Sequence, residues 1–350
     1  IRGVKMLSFK SMDSMVKAIE DGSVSGTEDI EYYRKIVREN EALFKLLRFL
    51  EKTNPCEQRY YLYKRVIIIS YIMSWEFFKI GKKHCIRGRF RVIGLPVSLP
   101  NPGYLIANED EETRSSIERI IKEAADSLKG ITIVLNADKD ISDGRLAPSN
   151  FVFYNRFQNF EEYLSALRSS YRRKIKNTLK RGRELRFIRL EKGRFTQEHY
   201  DLYLSVCNRT KMVFRILPFD FFRDWYGEIF EVRDGQNRLL AMIQLLDVEK
   251  DLYFLYVGFK EDHDEDRQTF GINNIDLYFN LLLFIIRYGI EKGYNRIVFG
   301  QTSEESKSKV GCVQELKYVY ISSSNPLVRI FFRIFPRFYS FEPYSIVLKQ

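Results

Sequence analysis

Several kinds of chemistry are missing from this chain. Its three histidines, His84, His199 and His263, stand far apart and beside no paired nucleophile, and no Gly-x-Ser-x-Gly run occurs. The familiar layouts for nucleophilic hydrolysis are therefore excluded. The four cysteines, Cys56, Cys85, Cys207 and Cys312, form no CxxC pair and keep no regular spacing, which excludes a disulfide framework and a zinc centre. The acidic run Glu261 to Asp266 around His263 is not an EF-hand loop. Arg267 stands where that loop needs glycine, and Asn273 where its bidentate glutamate belongs. No metal is expected, and the run reads as a charged loop. No basic segment followed by an apolar one opens the sequence, and no uncharged apolar run reaches the length of about 18 residues that spans a bilayer. A cytoplasmic protein is the expectation.

What is present is enough apolar material for more than one core: 45% hydrophobic and 15% aromatic residues in 350. The net charge of +11 is concentrated. Between Arg168 and Arg189 ten Lys or Arg face one acid, Glu184, and the remainder is nearly balanced. Residues 1–58 read as a helical lead-in, with apolar positions at helical spacing from Glu28 to Lys52. Alternation then takes over in Tyr61 to Phe78 and Gly88 to Leu99, followed by a helix at Glu112 to Leu128 and strands at Ile131 to Leu135 and Asn150 to Tyr154. One basic helix is expected over Asn159 to Arg183, capped by Asn159 and stopped by Gly182. Beyond it come a strand at Leu185 to Leu190, a helix at Thr196 to Met212, three strands between Glu228 and Phe259, a helix at Asn274 to Lys292, and strands at Arg296 to Phe299, Val313 to Ile321 and Tyr344 to Leu348.

Two stretches carry candidate chemistry. In the first, the apolar run Leu252 to Gly258 precedes Gln268-Thr269-Phe270-Gly271-Ile272-Asn273 and a long helix. A strand, a glycine turn and a helix start place backbone N–H groups where an anion can rest. The string fits Q/R-x-x-G-x-G/A, the pyrophosphate cradle of acyl-CoA transferases, except that Asn273 replaces the last small residue. It also reads as a polar loop entering a helix capped by Asn273 or Asn274. In the second stretch, Gly300-Gln301-Thr302 leads through Lys307 to Gly311.

Tyr256-Val257-Gly258, the helix Leu277 to Leu282 ending in Tyr288-Gly289-Ile290-Glu291-Lys292-Gly293-Tyr294, and Phe299-Gly300-Gln301-Thr302 with Lys307 and Gly311 resemble one group. It comprises the GNAT-fold acyltransferases related to Fem-type peptidoglycan aminoacyltransferases and cellulose-biosynthesis acetyltransferase-like proteins. The basic helix and the segment Phe90 to Tyr104, with Gly94 and Pro96, are similar to elements that precede that domain. The resemblance covers about residues 60–322. It implies an α+β chain of two tandem GNAT-like domains, each a mixed, largely antiparallel sheet flanked by helices. Their bounds would be a lead-in at 1–58, a first domain at 59–158, a linking helix at 159–183, and a second domain at 184–350 with the active site.

The implied activity is transfer of an acyl or aminoacyl group, from acyl-CoA or aminoacyl-tRNA, to an amine of a cell-envelope, polysaccharide or peptidoglycan precursor. A backbone N–H near the end of the Tyr253 to Phe259 strand would bind the carbonyl oxygen as it gains charge. Tyr256 would protonate a leaving thiolate, whose ordinary pKa is about 8.5, or Lys307 would stabilise the oxyanion of a tRNA ester. Glu231 is the candidate base. Val257, Gly258, Gln268, Gly271 and Asn273 are the candidate donor contacts, and Arg172, Arg173 and Thr302 the candidate substrate contacts. Lys307 also reads as a solvated lysine balanced by Glu304 and Glu305, so Lys307→Ala is expected to remove activity and spare folding.

The basic helix invites a second reading, a nucleic-acid or anionic-ligand binding protein without catalysis. No signature of sequence-specific recognition accompanies it. Pro326 to Phe338, where aromatics alternate with Arg329, Arg333 and Arg337, reads either as packing on the second domain or as peripheral contact with an anionic inner membrane.

Overall fold

The structure, a computed structural model, describes residues 6–24, 29–54, 56–80, 84–138, 141, 144–209, 216–259, 276–327, 330, 344 and 347–349. Its contacts gather into two units, Ile1–Pro148 with Leu316–Phe341, and Ser149–Glu315 with Glu342–Gln350. Residues 316–341 thus return to the first unit.

The first unit begins with β1 (Leu7–Phe9), α1 (Met12–Glu20), α2 (Ile30–Glu39) and α3 (Glu41–Thr53). The continuous apolar periodicity of 28–52 breaks at Asn40, whose amide nitrogen donates back to the Ile36 carbonyl at 2.9 Å. A side chain that competes for backbone groups in this way ends one helix and lets the next begin. β2 (Gln58–Tyr63) and β3 (Val66–Ile80) form a hairpin in which Lys64 and Arg65 both have positive φ, 46° and 63°. Such turns suit the strand twist and favour glycine. Here both side chains are tied down, Lys64 to Glu123 and Arg65 to Asp29 and Glu112.

β4 (His84–Ile93), β5 (Tyr104–Leu105), α4 (Glu111–Ser127) and β6 (Ile131–Ala137) follow. β1 to β4 are antiparallel in sequence order, β6 lies parallel to β4, and residues 318–323 pair antiparallel with β6. Ile117, Ile121 and Ala124 of α4 bury against Val66, Ile68, Ile93 and Val134. Beside β4, a Cβ on Gly103 would lie 2.1 Å from the Gly94 nitrogen, so two backbones cross where only glycine fits.

The second unit takes up the chain within β7 (Arg145–Tyr154) and continues through α5 (Phe160–Ala166), α6 (Ser169–Arg181), β8 (Arg186–Arg189), α7 (Gln197–Arg209), α8 (Phe219–Arg223), β9 (Glu228–Arg233), β10 (Leu239–Val248), β11 (Asp251–Phe259), α9 (Leu277–Glu291), β12 (Arg296–Gly300), α10 (Glu304–Lys309) and the start of β13 (Val313–Ser323). Its strands stand in the order β7-β12-β11-β10-β9-β8. All neighbours are antiparallel except β11 and β12, which are parallel and joined through α9. One face of this sheet buries Phe153, Phe230, Ile243, Leu252, Phe254 and Ile297 against Tyr163 of α5 and Leu281, Ile285 and Ile286 of α9.

The single basic helix expected over 159–183 is two helices. Leu167 and Arg168 are extended, with ψ of 144° at both. Residues near the C terminus account for the break: Leu167 bridges Leu348, the Arg168 N–H donates to the Val347 carbonyl at 3.1 Å, and the Lys349 N–H donates to the Ala166 carbonyl at 2.9 Å. The apolar spacing of 160–181 is helical throughout, so the break comes from a partner distant in sequence. Gly103→Ala is expected to cost the first unit about 3 kcal/mol or more, the upper end for forcing atoms into packed space. A denaturant midpoint within error of the parent's would show that the Gly94 and Gly103 backbones do not meet.

Candidate functional site

The organising feature of the second unit is a register shift in β11. Gln244 pairs with Tyr256 and Leu245 with Phe254, so Leu255 is the extra residue of a bulge. The shift exchanges which side chains face which way. Before it, the even positions Leu252 and Phe254 join the core under α9, and after it Val257 and Phe259 do. Tyr256 and Gly258 consequently turn to the opposite face, under α7 and α8. There the Tyr256 ring stands edge-on to Tyr203, Phe221 and Phe222.

Beside the bulge β11 leaves its parallel neighbour. β11 and β12 pair only through Asp251–Arg296, Leu252–Ile297 and Tyr253–Val298. Among the described residues no strand pairs with that edge of β11 beyond Tyr253. The candidates Tyr256, Val257 and Gly258 therefore lie on an edge that no described strand pairs, at the end of the sheet where β12 runs into the Gly300 turn.

Gly258 has a packing reason of its own. A Cβ there would sit 2.5 Å from the Tyr203 nitrogen and 2.6 Å from the Leu202 carbonyl carbon, so glycine lets α7 press its backbone onto β11. Ser205 of the same helix donates to the Phe259 carbonyl at 2.7 Å.

At the end of β12 three residues take positive φ: Gly300 at 71°, Thr302 at 71° and Ser303 at 50°. Two left-handed non-glycine residues in one turn are costly unless something holds them. Lys307 is the clamp. From α10 its ammonium donates to the Gly300 carbonyl at 3.0 Å and to the Gln301 carbonyl at 2.8 Å. This corrects the picture of a solvated lysine, because Lys307 is only 2% exposed. Burial, which disfavours the charged form, pushes its pKa from the usual 10.5 down to about 7, with smaller opposing effects of Cys312 and Glu304. Burial likewise raises the Cys312 thiol. Thr302 is exposed at the crest of the turn.

The cations of α6 divide into two groups. Lys174 and Arg181, with Tyr171, Asn177 and Thr178, line a cleft of about 270 Å³ closed by Asp276, Phe279 and Lys309. The start of α9 opens into this cleft. Arg181 and the Thr178 hydroxyl both bond the Asp276 carboxylate, the latter at 2.9 Å. Asn280 donates to the Thr178 carbonyl at 3.2 Å, and Gly182 leaves the room its amide needs. The candidates Arg172 and Arg173 are not among the lining residues. Arg172 is half-buried and donates to the Ser165 carbonyl, while Arg173, Lys176 and Lys180 are exposed. Gln268, Gly271 and Asn273, the proposed pyrophosphate string, lie outside the described residues, as does His263.

Glu231 is 8% exposed and occupied. Arg233 grips both its oxygens at 2.8 and 2.9 Å, and His199 Nε2 lies 3.1 Å from one of them. The Arg233 guanidinium, aided by His199 and opposed by burial, holds this carboxyl below the usual range, which suits an ion-pair hub and not a proton acceptor. Glu228 is similarly taken, by Tyr288 and by Arg189 at 2.9 Å. His199 had no assigned role in the sequence, although a signal existed. Glu231 and Arg233 alternate on one strand face, and Thr196 three residues before His199 offers its N–H and hydroxyl to Nδ1. Across the sheet Glu231, Met242 and Gly258 form one row, and Ile229, Gln244 and Tyr256 the next.

No family model matches this sequence, and no curated protein matches it. Its fold is found in solved structures. The C-terminal domain of a putative lysylphosphatidylglycerol synthetase from Agrobacterium fabrum matches with a TM-score of 0.50 at 14% identity, covering 87% of this chain and 93% of that one. L-PGS from Bacillus licheniformis (TM-score 0.48, 14% identity, 83% of this chain and 95% of that one) and FemX (0.48, 13%, 81% and 92%) are similar. At such identity the likeness is one of fold. That fold, in this chain, is a mixed, mostly antiparallel sheet flanked by helices. Among the described residues no cluster of metal-ligating side chains occurs, and no helix is long and apolar enough to cross a membrane.

The buried Lys307 links stability to pH. Below about pH 7 folded and unfolded chains both carry its charge, and the folded one bears the full cost of burying it; above about 10.5 neither does. Between those values the unfolded chain binds more protons, so stability rises with pH. Lys307→Met is expected to flatten that rise in denaturant midpoints measured from pH 7 to 10. Equal slopes for parent and variant would contradict a buried, depressed Lys307.

Proposed function

We propose that the second unit is an N-acyltransferase, moving an acyl or aminoacyl group from a phosphate-bearing donor, acyl-CoA or aminoacyl-tRNA, to an amine. The observation that carries this reading is the edge of β11 that no described strand pairs beyond Tyr253, next to the clamped turn that ends β12. A carbonyl laid along that edge meets backbone N–H groups already fixed by the sheet, and fixed dipoles stabilise a developing oxyanion without reorganising. In the α6–α9 cleft Lys174 and the helix start offer a donor's phosphates a positive site, and Arg181 and Lys309, paired there with Asp276 and Glu305, would exchange those carboxylates for phosphate.

In the reaction the amine nitrogen attacks the carbonyl carbon. The N–C bond forms, the C–S or C–O bond breaks, and one proton passes from the amine to the leaving group. Tyr256, half-buried on the strand edge, is the group we assign to donate that proton. Lys307 acts by holding Gly300 to Ser303 in place and by its charge near the β12 end. Glu231 holds α7 to the sheet through His199. The acceptor class, an amine of a cell-envelope or polysaccharide precursor, follows from the family resemblance, as does a tandem pair of such domains. A second reading, anionic-ligand or nucleic-acid binding without turnover, draws on the exposed Arg173, Lys176 and Lys180 and needs none of the strand-edge chemistry.

Labelled acetyl-CoA and a pool of labelled aminoacyl-tRNA, each offered with a panel of amines, test the proposal. Label is expected to move to an amine. Tyr256→Phe, which keeps the ring packing, should slow transfer by about 10²-fold or more, and Lys307→Met by about 10² to 10³. Binding of tRNA that depends steeply on salt, with neither donor consumed, would establish the second reading instead.

A further inference from the structure

Gln244 lies in the middle of β10 with no exposed surface, and neither atom of its carboxamide has a hydrogen-bond partner among the described residues. Leaving such a group buried and unpaired costs about 1–3 kcal/mol. The fold gains nothing visible in return, since leucine fills a similar volume without the penalty. Other buried amides and indoles of the unit are at least partly bonded: Asn280 donates to the Thr178 carbonyl, Asn150 donates to Glu315 at 2.8 Å although its Oδ1 accepts nothing, and Trp225 donates to the Leu245 carbonyl at 3.1 Å, next to Gln244.

Its position gives the amide a use. Tyr256 is its cross-strand partner, directly at the bulge. The two residues share the face roofed by Tyr203, Phe221 and Phe222, whose rings meet the Tyr256 ring edge to face. Tyr256 is half-buried, so of the two paired side chains it alone reaches solvent.

We propose that Gln244 is a specificity-determining residue, its carboxamide pairing with a neutral group of the substrate that both donates and accepts hydrogen bonds, an amide or a hydroxyl. A charged group does not fit there. The carboxylate on this face, Glu231, is already neutralised by Arg233, and an ion among these rings would lack a counter-charge. The inference rests on the transfer reading only for calling the ligand a substrate.

Two measurements on the full chain test it. The unfolding midpoint of Gln244→Leu is expected to equal the parent's or exceed it by about 2–4 °C. In the ¹⁵N–¹H spectrum of glutamine-labelled protein, the NH₂ pair missing from Gln244→Leu should shift saturably with N-acetylalaninamide or ethylene glycol and ignore sodium acetate. A lowered midpoint would show that the amide holds the fold, and an NH₂ pair that moves with neither neutral probe, or moves with acetate, would show that it reads no such group. Either result overturns the proposal. Neither measurement needs turnover, so loss of the transferase reading and loss of this one are separate outcomes.

Discussion

The extra residue at Leu255 is the constraint on which the second unit depends. Side chains of a strand alternate between faces, so one inserted residue exchanges the faces for everything that follows. It allows β11 to serve the α9 core with Leu252 and Phe254, then with Val257 and Phe259, while presenting Tyr256 and Gly258 to α7 and α8. It also coincides with the point where β11 leaves β12. An antiparallel neighbour fixes the strand on one side, while on the other no described strand pairs beyond Tyr253. The candidate site is therefore a consequence of pairing geometry more than of any one side chain.

Two devices hold the open end in shape. On β12, Lys307 gives up most of its hydration to bind the Gly300 and Gln301 carbonyls, which keeps Thr302 and Ser303 left-handed at a position where a relaxed turn would swing away. On β11, the absence of a side chain at Gly258 brings α7 onto the strand, and His199 pins that helix to the Glu231–Arg233 pair two strands away. Both devices place cost in one spot and order in the next, as functional sites often do.

Much of this unit was legible in the sequence because its signals are local. Asp234-Gly235 marked the hairpin between β9 and β10, Gly293 the end of α9, and the alternating runs the strands themselves. What escaped depends on partners far along the chain. The break at Leu167 is made by Val347 and Lys349. The burial of Lys307 cannot be seen in Glu304-Glu305-Ser306-Lys307-Ser308-Lys309, which is polar throughout, because this short helix hides two of its six residues, Lys307 and Ser308, and both are polar. Glu231 looked available as a base because its partner His199 lies 32 residues earlier. The bulge itself left no mark, since Leu252 to Val257 is apolar on both faces and an added apolar residue is silent.

The central claim is that the β11 edge beyond Tyr253 receives the donor's carbonyl. A crystal structure with a non-hydrolysable acyl donor analogue tests it most directly. The account predicts the carbonyl oxygen within hydrogen-bond reach of a backbone N–H between Leu255 and Gly258, with the phosphates toward Lys174, Arg181 and Lys309. A carbonyl seated elsewhere, with that edge unengaged, would contradict it.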